Sequence, residues 1–208
     1  MTDIKHVIFD LGGVIYDIDY KLTVKSFQSL LSADTILRQG IIDSIFKMSF
    51  VHDYEKGLIS TSEFRSEIQN HFHFTVNDED FDNAWNALLI KMNQTSVNLI
   101  KKLRGKYTIT LLSNTNELHF NGIIEEFRLI QEYFNHIFFS HIVGARKPEI
   151  EIFQLAINTL NANPNQILFI DDMEENINGA KAAGLLTYHF TSIDCIVELN
   201  NLLFLTET

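Results

Sequence analysis

A chain of 208 residues, 46% apolar and carrying 17 Phe, is long enough to bury one substantial core and too apolar to remain disordered. A formal net charge of −11 with no run of Lys or Arg excludes broad binding to a phosphate backbone, so no nucleic-acid partner is expected. One cysteine, Cys195, excludes an internal disulfide, and nothing resembles a leader or the roughly 20 apolar residues of a membrane helix, so the expected location is cytoplasmic with no membrane partner.

The first apolar run, His6–Phe9, ends at Asp10 and is followed by Gly12-Gly13. It is apolar through its middle rather than alternating, which predicts a strand covered on both faces. About 90 residues separate it from the next such run, against the dozen or so an ordinary crossover needs. Within that interval Leu22–Leu31 and Ile36–Phe46 carry apolar residues at helical spacing. Ser60-Thr61-Ser62-Glu63 fits a capping box before Phe64 and Ile68, and Phe81, Trp85, Leu88 and Leu89 make another apolar face. Residues 17–90 are therefore expected to be a helical cap inserted after the first strand, leaving residues 1–16 and 91–208 as the core.

The core then alternates. A helix over Ser96–Leu103 precedes a strand at Thr108–Leu112 and another at His136–Phe139. Pro148 suits the first position of a helix over Glu149–Leu160, which leads to a strand at Ile167–Ile170. A helix over Met173–Ala183 stops at Gly184, before a last strand at Leu186–Phe190. This order predicts an α/β fold with a doubly wound, parallel, five-stranded sheet.

In such a sheet, ligands bind beyond the carboxyl ends of the strands. Asp10 follows the first strand, Ser113-Asn114 the second and Asp171-Asp172 the fourth, while Lys147 precedes a helix after the third. Three carboxylates form a hard oxygen site suited to Mg²⁺, an ion that also binds substrate phosphate. Lys147 can hold the phosphate and offset carboxylate repulsion, and Ser113 and Asn114 can donate to phosphate oxygens at a helix N-terminus. Asp10 can then attack phosphorus and form an aspartyl-phosphate.

The stretches FDLGGVIYD, LLSNTN, ARKPEIEIF and FIDDMEENINGAKAAG resemble the four motifs of the haloacid dehalogenase superfamily, in that family's order. The likeness covers essentially the whole chain, with a helical cap of the common first type between motifs one and two. It implies a Rossmann-like core and a Mg²⁺-dependent phosphatase acting on a small phosphorylated metabolite. The DLGGV form followed by YDID looks most like a branch acting on α-glucose 1-phosphate and, more loosely, like the phosphatase domain of soluble epoxide hydrolases. Carried over, the resemblance makes Asp10 the nucleophile and a metal ligand, with the Gly12 carbonyl, Asp171 and Asp172 completing the ligand set. Ser113 and Lys147 would bind the phosphoryl group, with Asn114 and Asn176 supporting them.

Most phosphatases that these motifs resemble carry an aspartate two residues after the nucleophile, as general acid and base; here that position is Gly12. Glycine suits a tight turn around the ion, but the lost acid costs about a hundred- to ten-thousandfold. Two answers stand open. The leaving group is more acidic than an alkyl alcohol, as a sugar 1-phosphate or a phenol would be, or Asp17 or Asp19 substitutes when the cap closes. Tyr16, Tyr54 and Glu55 are cap-side candidates for contact with substrate, with packing or exposure the simpler account of each. His71 and His73 lack a third ligand, and Trp85 and Cys195 read as packed residues. Two rival functions remain. A 2-haloacid dehalogenase needs no metal and would leave Asp171-Asp172 without a task, and a non-catalytic phosphate- or metabolite-binding regulator rests on Gly12 alone.

Overall fold

The computed structural model describes residues 3–30 and 45–204. Its strands are β1 (His6–Phe9), β2 (Tyr16–Ile18), β3 (Leu89–Met92), β4 (Thr108–Ser113), β5 (His136–Phe139), β6 (Ile167–Asp171) and β7 (Leu186–His189). Its helices are α1 (Tyr20–Leu30), α2 (Ser49–Glu55), α3 (Thr61–Phe72), α4 (Asp78–Asn86), α5 (Gln94–Leu103), α6 (Glu117–Arg128), α7 (Ser140–Val143), α8 (Ile150–Leu160), α9 (Glu174–Ala182) and α10 (Cys195–Phe204).

The five predicted strands form one parallel sheet in the order β5-β4-β1-β6-β7, with Val7 opposite Ile109 on one side and Leu168 on the other. Side chains alternate between two cores. Val7, Phe9, Ile109 and Ile170 pack with Ile100 of α5, Phe127 of α6 and Leu199 of α10. Ile8, Ile167 and Phe169 pack on the opposite face with Phe153 of α8 and Ile177 of α9. Burial on both faces is why these strands read as continuous apolar runs. The chain winds outward from β1 to β4 and β5, then crosses back to β6, so the strand order reverses at the carboxyl end of β1.

Helices α1 to α4 bury a third cluster away from the sheet, in which Phe27, Val51, Tyr54, Phe64, Ile68, Phe81 and Trp85 meet Leu118 of α6. The capping box forms as expected: Ser60 Oγ accepts from the Glu63 amide and the Glu63 carboxylate accepts from the Ser60 amide. The helix expected over Ile36–Phe46 lies mostly outside the described residues, and Ile45–Lys47 is a 3₁₀ turn. Two expectations differ in detail. Leu89 does not continue the apolar face of α4, which ends at Asn86; it starts β3, which pairs antiparallel with β2, so that β2 crosses the expected boundary after residue 16 and β3 the one after residue 90. Pro148 is not the first helical residue, because α8 begins at Ile150 and Pro148 instead follows a cis peptide bond from Lys147.

Candidate active site

Asp10 continues the β1 ladder, its amide donating to the Ile170 carbonyl at 2.9 Å. Its side chain accepts from the Leu11 amide at 2.7 Å and lies 2.8 Å from Lys147 Nζ. Lys147 is wholly buried and also meets Asp171 Oδ2 at 2.6 Å, so one ammonium bridges the ends of β1 and β6. Asp171 Oδ1 accepts from the Met173 amide at 2.8 Å, and Asn176 Nδ2 donates to both Asp171 oxygens at 3.0 and 3.1 Å. Sheet topology thus brings together the residues that the strand ends singled out.

Asn114, expected as a phosphate donor and as a support for Ser113 and Lys147, is bonded to the lysine loop. Its Oδ1 accepts from the Lys147 amide and its Nδ2 donates to the Lys147 carbonyl, both at 2.8 Å. Its amide group positions the lysine loop. Ser113 stays buried at the end of β4 and lines the cavity beside Lys147.

The glycine pair is also resolved. Gly13, and not Gly12, makes the left-handed turn, with φ of 73°, and a Cβ there would stand 2.2 Å from Asp172 Oδ2. Gly12 has no such constraint; its nearest neighbour would be Ile18 Cδ1 at 3.0 Å, the far end of a side chain.

The charges explain what the site wants. Burial raises Asp10 well above the ordinary carboxylate range, against the pull of Lys147, with Asp171 and Asp172 adding repulsion. Burial and then Asp171 push Asp172 up to about 6. Lys147, although burial opposes its charge, is held above its usual value by Asp10 and Asp171. Carboxylate oxygens of Asp10, Asp171 and Asp172 lie within 4.8 Å of one another, and a single lysine does not neutralise three acids. The donor set is hard oxygen, which fits a divalent cation of the Mg²⁺ class. Asn176 Oδ1, buried without a partner beside the three acids, provides an acceptor for a water held by such an ion.

Above the acids lies a cavity of about 840 Å³, bounded by β-strand ends below and by Phe46, His52 and Glu55 of the helical layer above. Tyr20 faces it from α1; burial, then the charges of Asp172 and Asp10, raise its hydroxyl pKa and keep it protonated. Asp17 and Asp19 are not among the lining residues. Asp17 accepts from Asn93 Nδ2 at 3.1 Å, and Asp19 caps α1 by accepting from the Lys21 amide at 2.9 Å. Of the cap-side candidates, Tyr54 stacks on Phe64 with centroids 4.1 Å apart and is packing, and Tyr16 lines the cavity while its hydroxyl donates to Glu126 at 3.0 Å. Glu55 lies in the cavity wall, paired with Arg146. Arg146 and His52 were not singled out in the sequence. Arg146 could have been noticed as the neighbour of Lys147, whereas His52 leaves no signal until α2 is placed.

Comparison with known proteins agrees with this geometry. Residues 4–184 match the family described as haloacid dehalogenase-like hydrolase. D-ribitol-5-phosphate phosphatase of Bacteroides thetaiotaomicron is 30% identical over 190 residues, covering 89% of this chain and 91% of the relative. A solved enzyme of the same family from Bacteroides thetaiotaomicron, in complex with magnesium and inorganic phosphate, superposes with a TM-score of 0.76 at 32% identity, covering 89% of this chain and 93% of that one. A hydrolase of the family from Porphyromonas gingivalis reaches a TM-score of 0.84 at 26% identity over 99% of this chain and all of its own. Among the described residues no helix is long and apolar enough to cross a membrane.

Proposed function

Because the chain belongs to the haloacid dehalogenase-like hydrolases and is a phosphoric monoester hydrolase, we propose that it is a Mg²⁺-dependent phosphatase of small phosphorylated metabolites working through Asp10. The observation that carries this reading is the Asp10–Lys147–Asp171 bridge at the switch point of the sheet. Asp10, Asp171, Asp172 and the Gly12 carbonyl are the groups that would hold the ion. When bound, it neutralises the acids and draws charge from the phosphoryl oxygens.

Asp10 attacks phosphorus, the bond to the leaving oxygen breaks, and the phosphoryl group resides on Asp10 as an acyl phosphate. Lys147 and Ser113 hold its oxygens as negative charge redistributes, and Asn114 keeps Lys147 in place. Water then releases inorganic phosphate and restores the Asp10 carboxylate. Residues 17–90 act as the cap that excludes bulk water and limits substrate size. With glycine at position 12, and Asp17 and Asp19 outside the cavity wall, the preferred leaving group departs with little protonation, as from a sugar 1-phosphate or an aryl phosphate. The relative named for D-ribitol 5-phosphate supports a small polyhydroxylated ester; its leaving oxygen is a primary alcohol's, so it speaks for the hydroxyl groups and not for an acidic leaving group.

The test is phosphate release from phenyl phosphate and α-glucose 1-phosphate, with Mg²⁺ and with a chelator, beside Asp10→Asn. Release should require Mg²⁺ and fall roughly a thousandfold or more in the variant. Chelator-resistant release, or an active Asp10→Asn protein, would remove the reading.

A further inference from the structure

Helix α2 ends at Glu55, and the loop after α7 carries Arg146 immediately before Lys147. Arg146 Nε donates to Glu55 Oε2 at 2.8 Å, joining the helical layer to the sheet-bearing core in the wall of the cavity. The pair is largely buried, with side-chain exposures of 12% for Arg146 and 18% for Glu55. Burial raises the Glu55 carboxyl even with Arg146 beside it, the mark of an ion pair held in a poorly solvated wall. Among the described residues the contact uses only Nε and Oε2, so the guanidinium keeps its two terminal nitrogens and the carboxylate keeps Oε1 for another partner. His52, one turn earlier on α2, lines the same wall.

Just outside the cavity, a second bridge joins the same two segments: Lys56 Nζ meets Glu149 Oε1 at 3.1 Å. Gly57, with φ of 67°, lies so close to α7 that a Cβ would stand 2.3 Å from the His141 carbonyl. The two segments are therefore held in register, and the Glu55–Arg146 pair has a fixed place over the catalytic acids.

We propose that Glu55 and Arg146 together read the hydroxyl groups of the leaving group, making this a phosphatase selective for polyhydroxylated esters. The assignment rests on the phosphatase reading above. One hydroxyl donates to Glu55 Oε1 while a neighbouring one accepts from an Arg146 terminal nitrogen, a match for a vicinal diol. A leaving group without hydroxyls displaces water from the wall and leaves both charged groups short of partners. A site built this way rejects an analogue lacking the hydroxyl far more strongly than an apolar pocket rejects a missing methylene.

The experiment compares kcat/KM, with Mg²⁺, for α-glucose 1-phosphate and D-ribitol 5-phosphate against phenyl phosphate, in wild type, Glu55→Gln and Lys56→Ala. The ratio of the better hydroxylated ester to phenyl phosphate should fall about ten- to a hundredfold in Glu55→Gln, chiefly through KM. Lys56→Ala loosens the same closure outside the cavity and should leave that ratio within about twofold. An unchanged ratio in Glu55→Gln overturns the assignment, as does an equal fall in Lys56→Ala, which would make the pair a latch only. Wild type that cleaves phenyl phosphate but neither hydroxylated ester overturns it as well. Wild type that releases phosphate from none of the three overturns the phosphatase reading itself.

Discussion

At Gly13 a side chain is excluded twice, by a φ of 73° and by the Asp172 carboxylate 2.2 Å from where Cβ would stand. At Gly12 neither obstacle exists, and Ile18 Cδ1 at 3.0 Å needs to yield only a few tenths of an ångström. The backbone turn therefore does not explain why position 12 lacks an acid, whereas the leaving group proposed above would. Gly12→Asp would place a carboxyl close to Asp10, able to protonate a departing alkoxide. Turnover of an alkyl ester such as glycerol 3-phosphate should rise roughly ten- to a hundredfold, with a smaller gain on phenyl phosphate, whose oxygen needs less help. Steady-state kcat on the two esters checks this, with Ile18→Val as a companion that gives the new side chain room. Equal changes on both would mean that protonation does not limit the reaction.

Among the elements, Ser60-Thr61-Ser62-Glu63 announces the start of α3 because the residues that cap a helix are local in sequence. Ser60→Ala removes one reciprocal bond and should lower stability by about 1 kcal/mol, seen as a fall of roughly 2–4 °C in Tm. The strands of the sheet were legible for a related reason: Val7-Ile8-Phe9 and Ile167–Ile170 are covered on both faces, so every position is apolar. The β2–β3 ribbon was not. Its strands are three and four residues long, bulged between Asp17 and Ile18, and partnered across the whole helical interval, so neither carries a period of its own. The site divides along the same line. Asp10, Ser113, Lys147 and Asp171 stand at strand ends or beside them, where sequence position alone implies convergence. Glu55 and Arg146 lie 91 residues apart on segments that meet only once the helical layer is folded over the sheet.

On the scale of the whole molecule, the helical layer and the sheet-bearing core are joined at His119, a core residue on α6 whose ring stacks on Trp85 of α4 at 5.1 Å and 6°. Nδ1 faces the Asn116 side-chain amide at 3.0 Å, and Nε2 faces the Trp85 carbonyl at 3.3 Å, which also accepts from Thr23 Oγ1 at 3.0 Å. With an amide donor on one nitrogen and a carbonyl on the other, the ring is assigned as the neutral Nε2–H tautomer. Burial lowers its pKa from 6.5 to about 4, the Trp85 carbonyl opposing that shift only in part. The sign follows from proton uptake. Above pH 6.5 neither folded nor unfolded chain protonates this histidine; between 6.5 and 4 the unfolded chain does and the folded one does not. Stability is thus complete above the unfolded value and is lost as pH falls toward the folded one, by about 2 kcal/mol between pH 7 and pH 5. His119→Gln keeps a hydrogen-bonding side chain and removes the titration. Wild type should therefore lose roughly 4–8 °C more in Tm than the variant over that interval, other titrating groups cancelling in the difference. Parallel melting profiles for the two proteins would mean that the ring protonates in place, and that the joint between layer and core opens or hydrates at low pH without cost to the fold.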